Sequence, residues 1–120
     1  MNNEQTPSNF RFPKKMHLRK RADFDRVFAR KRSAGDRMLV IYCCGGEENY
    51  SRLGLVVSRK IGKAHFRNRW KRLIREAFRL EQHLFSAPVD LVVLPRQGAT
   101  PDIASIRNSF CSLLKQLIKE

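Results

Sequence analysis

The segment "KAHFRNRWKRLIREAFR", Lys63 to Arg79, carries seven Lys or Arg among its seventeen residues, yet large apolar residues recur between them at regular intervals. At about 100° per residue, with Trp70 as zero, Phe66, Leu73, Ile74, Ala77, Phe78 and, further on, Leu84 fall within roughly 80° on either side. Asn68, Lys71, Arg72, Arg75 and Arg79 fall on the opposite side, roughly between 100° and 200°. The pattern predicts a helix that buries one face in a core and offers a ridge of cations on the other, with Glu76 the acidic residue nearby. Solvated helix faces usually mix signs, whereas this one is nearly all positive and so fits a polyanion. Arg67 and Arg69 flank the ridge near the N-terminal end, where the helix dipole adds attraction for phosphate. Arginine predominates, and its planar fork binds two oxygens at once.

Composition points the same way. The chain has 120 residues, 42% of them hydrophobic, which is room for one compact domain and too little for two. A formal charge of +14, from 25 Lys+Arg against 11 Asp+Glu, makes a compact monomer repel itself unless a polyanion offsets it. Nucleic acid is the leading partner. A membrane surface is the other candidate, but no run of about 18 apolar residues is present, and no apolar signal-peptide core stands near the N-terminus. A soluble protein, cytoplasmic and monomeric on its own, is expected. Cys43 and Cys44 are adjacent and Cys111 is far downstream, so neither a secreted disulfide framework nor a CxxC pair exists, and free thiols are expected. His17, His65 and His83 are scattered without metal-ligand spacing. His17 and His83 read as surface residues, and His65, beside the basic helix, is also placed to meet RNA.

Along the chain, helix and strand signals alternate. Residues 1–13 are polar, with Pro7 and Pro13, and read as a flexible arm, leaving 14–120 as a single RNA- or DNA-binding α/β domain. "RADFDRVFARK", Arg21 to Lys31, places Phe24, Val27 and Phe28 on one stripe of a short helix. "RMLVIYCC", Arg37 to Cys44, is a strand ended by Gly45 and Gly46. "RLGLVVSRKIG", Arg52 to Gly62, reads as its hairpin partner, with Leu53, Leu55 and Val57 on one face and Gly54, Val56 and Ser58 on the other. "VDLVVLP", Val89 to Pro95, is a short buried strand. The last helix is expected to start at Thr100 as N-cap, with Pro101 and Asp102 in its first turn. Ile103, Ile106, Phe110, Leu113, Leu114, Leu117 and Ile118 then form its apolar face. The order α-β-β-α-β-α predicts a small sheet with helices packed on it.

The segment "RKIGKAHFRNRWKRLIREAFR", with Arg67, Asn68 and Arg69 as its "RNR" core, closely resembles the signature of the bacterial ribonuclease P protein subunit. The resemblance extends to "DFDRVF" and to the later strands and helix. Trp70 is a departure, since the family usually has an aliphatic residue there. The resemblance implies a ribosomal-protein-like α/β domain with a left-handed βαβ crossover. It also implies a protein that binds a large catalytic RNA, whose holoenzyme removes the 5′ leader from precursor tRNA. Mg²⁺ held by that RNA would carry the hydrolysis, with no cofactor bound by the protein. The chain itself shows no Ser/His/Asp grouping, paired carboxylates or metal-ligand cluster.

By the same resemblance, Arg67, Asn68, Arg69, Lys71, Arg72 and Arg75 would contact the catalytic RNA. A second surface, the leader cleft, would include Phe24, Phe28 and Tyr42, with Ser58, Lys60 and Arg96 at strand ends. Relatives often have two cations after the last strand, where this chain has Arg96 then Gln97. Aromatic rings stack on unpaired bases without demanding a sequence. Burial in the core is the competing fate of the Phe24 and Phe28 stripe. A ribosomal or general RNA-chaperone protein remains the alternative function, and a self-sufficient nuclease lacks the necessary groups.

Overall fold

The computed structural model describes residues 13–119; the expected arm, apart from Pro13, lies outside the described residues. Helix α1 is Arg21–Ala29, followed by strands β1 (Ser33–Gly35), β2 (Leu39–Gly45) and β3 (Arg52–Leu55). Helix α2 is Ala64–Glu81, strand β4 is Val89–Pro95, and helix α3 is Ile103–Lys119. Single 3₁₀ turns occupy Lys14–Met16, Arg59–Ile61 and Gln82–Leu84.

The strands form one sheet in the order β1-β2-β4-β3. It is the expected small α/β sheet with helices laid on it, but two details differ from the sequence reading. Strand β1, "SAG", was not expected, because three small residues carry no periodic apolar signal. It forms as an antiparallel edge on β2, with Cys43 N donating to Arg32 O at 3.0 Å just beyond it. The other difference concerns β3, which is not the hairpin partner of β2. It pairs in parallel with β4 from Arg52↔Asp90 to Leu55↔Val93, while β2 pairs antiparallel with β4 from Leu39↔Pro95 to Gly45↔Val89. The physical reason is length and apolarity. Strands β2 and β4 match over their full seven residues. The loop after Gly46 is also longer than the two-residue turns that favour hairpins. Helix α2 is therefore the crossover between two neighbouring parallel strands.

Alternation along the strands sends Leu39, Ile41, Cys43, Leu53, Leu91 and Val93 to one face of the sheet. They pack with Trp70, Ile74, Ala77 and Phe78 of α2 and with Ile106, Phe110, Leu113, Leu114 and Leu117 of α3. Phe78 and Phe110 meet edge to face with centroids 6.5 Å apart. The helix wheel is thus confirmed for α2, except that Leu84 lies in the 3₁₀ turn beyond its end. Trp70 is fully buried, so the larger ring in place of an aliphatic residue sits at the centre of the packing. Its indole N–H has no hydrogen-bond acceptor among the described residues. At the C-terminal end of α2, Glu81 is held by Arg107 of α3 at 2.7 Å. The three cysteines are free, and burial pushes the Cys43 thiol up to about 11.

Helix α3 starts later than expected. Asp102 Oδ1 accepts hydrogen bonds from the amides of Ala104 (3.2 Å) and Ser105 (3.4 Å), so Asp102 and not Thr100 caps the helix. Pro101 is buried ahead of it. Hydrogen bonds from the Ser105 side chain and backbone hold the Asp102 carboxyl below its usual range. A depressed carboxylate contributes stability above its unfolded pKa and loses it as pH falls through its folded value. Asp102→Ala is expected to lower the melting temperature at neutral pH and to match the parent protein once both are acidified below the carboxylate range, whereas Thr100→Ala changes little. Melting curves across pH check both substitutions.

Candidate nucleic-acid interface

The cationic side of α2 is set up by the turn before it. Gly62 adopts φ 153°, where a Cβ would come within 2.7 Å of the Phe66 ring, so only glycine fits this entry to the helix. Arg67 Nε donates back to the Gly62 carbonyl at 3.0 Å, and Arg69 reaches the Pro101 carbonyl at 3.5 Å. Asn68, Arg69 and Arg72 are exposed, while Arg67, Lys71 and Arg75 are half-buried. Among the described residues Lys71, Arg72 and Arg75 form no ion pair. Arg79, by contrast, is held by Glu76 at 2.5 Å, and its hydrogen bond keeps the Glu76 carboxyl below the usual range. The open ridge therefore runs from Arg67 to Arg75 and stops one turn short of Arg79.

The other face of the sheet carries α1. Val27 is fully buried there against Leu18, Cys44 and Val92, and so anchors the helix. The competing fates of its two phenylalanines resolve between the extremes, because Phe24 and Phe28 are half-buried. Phe28 meets Tyr42 edge to face, with centroids 4.9 Å apart. Phe24 lies over Gly54, where a Cβ would be 2.7 Å from the ring. The register sets Tyr42, Val92 and Gly54 in one row across β2, β4 and β3, and Val40, Leu94 and Val56 in the next. Val40, Leu94 and Val56 are only half-buried and continue the aromatic strip as a partly exposed apolar surface. Ser58, Lys60 and Arg96 are all exposed; Arg96 directly follows β4, Ser58 lies three residues beyond β3, and Lys60 sits in the 3₁₀ turn Arg59–Ile61. Arg96 donates from Nε to the Asp36 carbonyl at 2.9 Å, which leans it toward the β1–β2 turn.

Sequence reasoning missed the ionic cluster beneath α1. Asp90, fully buried on β4, accepts from Arg52 Nε at 3.1 Å and Nη2 at 2.8 Å, and from Arg26 of α1 at 2.5 Å. Arg26 also lies 3.2 Å from Glu47 and 3.5 Å from Asp23. The hydrogen bond to Asp90 drives the Arg52 pKa upward, outweighing its burial. Two strands and a helix are thus joined through one carboxylate. The available signal was the acidic residue inside the apolar run "VDLVVLP", whose charge needed a cation that the linear sequence does not locate. Among the described residues no group of three His, Cys, Asp or Glu side chains could hold a metal ion.

A family model described as Ribonuclease P matches residues 12–118, which include α1, α2 and all four strands. The chain belongs to the ribonuclease P protein family. The ribonuclease P protein component of Clostridium botulinum strain Langeland is 38% identical over 105 residues, covering 86% of this chain and 95% of its own length. That of Staphylococcus aureus strain Mu3 is 38% identical over 104 residues, with 85% and 90% covered. The solved S. aureus ribonuclease P protein superposes with a TM-score of 0.75 at 36% identity, covering 84% of this chain and 94% of that one. The Thermotoga maritima protein gives 0.74 at 36% identity, with 83% and 96% covered. The S. aureus and T. maritima ribonuclease P proteins thus share both the fold and more than a third of the aligned residues with this chain. No helix among the described residues is long and apolar enough to cross a membrane.

Two stability contrasts follow from this geometry. Gly54→Ala is expected to lift α1 and cost about 1–3 kcal/mol through overpacking, whereas Gly45→Ala, with nothing within 4 Å of the new methyl, costs far less. Arg52→Met is expected to cost several kcal/mol, toward the roughly 3–5 kcal/mol seen when one partner of a buried ion pair is removed. Arg21→Ala, which breaks an exposed 3.9 Å pair with Asp25, leaves stability nearly unchanged. Denaturant titrations of the four variants check these expectations.

Proposed function

We propose that this protein is the protein subunit of a ribonuclease P ribonucleoprotein, binding the catalytic RNA through α2 and the single-stranded 5′ leader of precursor tRNA through the groove beneath α1. The observation that carries this reading is the division of labour across one sheet: α2 packs on one face while Phe24, Phe28 and Tyr42 stand half-open on the other. Two RNA segments can therefore be engaged at once without competing for the same side chains. The unpaired ridge, from Arg67, Asn68 and Arg69 to Lys71, Arg72 and Arg75, suits the closely spaced phosphates of folded RNA. The aromatic strip suits unpaired bases, and Lys60 and Arg96 beyond the strand ends suit the backbone that leads away from them.

In this reading the protein binds and positions, and the RNA with its Mg²⁺ carries out hydrolysis. The carboxylates brought together in the described residues, Asp23, Glu47 and Asp90, support that assignment, because they are occupied by Arg26 and Arg52. Its location would be the cytoplasm, where precursor tRNA is made. A general RNA-chaperone role would share the charge, but it gives no account of a separate aromatic groove.

Reconstitution tests the proposal: the protein, the bacterial catalytic RNA and precursor tRNA are combined at low Mg²⁺, and each is omitted in turn. Correct cleavage is expected only when the RNA is present, and strongly only when the protein is added. Cleavage by the protein alone would overturn the assignment of chemistry. Binding to the catalytic RNA should weaken linearly in log–log coordinates as salt rises, and Arg72→Ala should reduce the slope by about one unit. For the groove, Phe28→Ala should weaken holoenzyme affinity for precursor tRNA by about 1–3 kcal/mol while leaving mature tRNA unaffected. Equal losses for both tRNAs, together with a large fall in melting temperature, would mean that Phe28 serves only the core.

A further inference from the structure

At the outer edge of β3, His17 forms a parallel bridge with Leu53, and Leu18 N donates to Leu53 O at 2.9 Å. This addition to the sheet edge draws the segment preceding α1 alongside α2. A pocket of about 180 Å³ results, with Leu53 and Leu55 in its wall and His17, Arg19, Lys71 and Arg75 around it. Its cations come from two distant parts of the chain. Among the described residues Arg19, Lys71 and Arg75 form no ion pair, whereas Arg26, Arg52, Arg79 and Arg107 are each held by a carboxylate. Three uncompensated cations around one concavity repel one another, and an anion seated between them reverses that repulsion.

We propose that this pocket binds a phosphodiester group of RNA, gripped by the Arg19 and Arg75 guanidiniums and the Lys71 ammonium, with the His17 imidazole at its rim. The proposal rests on the RNA-binding reading above and extends it from the convex ridge of α2 to a concave site at the sheet edge. The difference is physical. A ridge attracts phosphates anywhere along its length, whereas a phosphate clamped between α2 and the edge segment is held at one position. Guanidiniums suit the task, since each can present two N–H groups to one phosphate. The site adjoins both α2 and the start of α1, so the phosphodiester could come from the catalytic RNA or from precursor tRNA.

The test uses the full-length protein with Arg19→Ala, and with Arg37→Ala as a control that removes the same charge near the turn at the opposite edge of the sheet. Affinity for the catalytic RNA alone and holoenzyme affinity for precursor tRNA are measured as functions of salt, beside a melting curve. Arg19→Ala should bind one of the two RNAs roughly tenfold more weakly, with a salt slope reduced by about one unit, at unchanged melting temperature; Arg37→Ala should lose clearly less. The arm that shows the loss identifies the source of the phosphate. If Arg19→Ala and Arg37→Ala behave alike for both RNAs, the pocket is no more than part of a diffuse field and the proposal fails. Failure of the broader reading looks different, because the parent protein itself would then not bind the catalytic RNA.

Discussion

Everything in this molecule leans on strand β4. Asp90, Leu91, Val92 and Val93 are all fully buried, because β2 and β3 flank the strand, α2 and α3 cover one face, and α1 covers much of the other. A strand enclosed on every side must satisfy its backbone through the ladders on both edges and its side chains through packing above and below. The parallel pairing with β3 then obliges the intervening chain to cross over the sheet as a helix. That crossover is α2, the element that carries the cationic ridge.

The same strand explains how a highly basic protein stays folded around an acidic residue. Asp90 has no access to water, so its charge is tolerable only because Arg26 and Arg52 surround it. Arg26 belongs to α1, which means the helix bearing Phe24 and Phe28 is located by an ionic contact as well as by the apolar anchor Val27. Arginine is used here in two opposite ways. Some guanidiniums are sealed to carboxylates and fix the architecture; others, on α2 and at the edge of β3, lack such partners among the described residues and supply the outward field. The positive charge available to a partner is therefore smaller, and more localised, than the formal total.

The apolar surface beside α1 depends on small residues as much as on aromatic ones. Gly54 allows the Phe24 ring to lie directly on β3, and the half-buried row of Val40, Leu94 and Val56 extends the surface beyond the helix. Membership of the ribonuclease P protein family gives this surface its context, and the sheet gives it its separation from the ridge.

The sequence alone determined the elements with strong periodicity. The α2 wheel, the buried strand β4, the ridge from Arg67 to Arg75 and the apolar face of α3 from Ile106 to Leu117 were legible, because each depends on spacing within one segment, whereas Ile103 and Ile118, expected on that face, are exposed at the two ends of α3. The "RNR" signature likewise pointed to the family. Tertiary structure decided what spacing cannot encode. Strand β3 abandoned β2 for β4, since pairing is a competition among all strands and the longest apolar match prevailed over nearness in sequence. Asp102 displaced Thr100 as the cap because of where the chain leaves Pro101. The Asp90 cluster and the pocket around Arg19 and Arg75 each join side chains from distant parts of the chain, and Glu76 shortened the ridge by drawing in Arg79. Charge and polarity are local properties of a sequence, but which charge meets which is settled only when the chain has closed on itself.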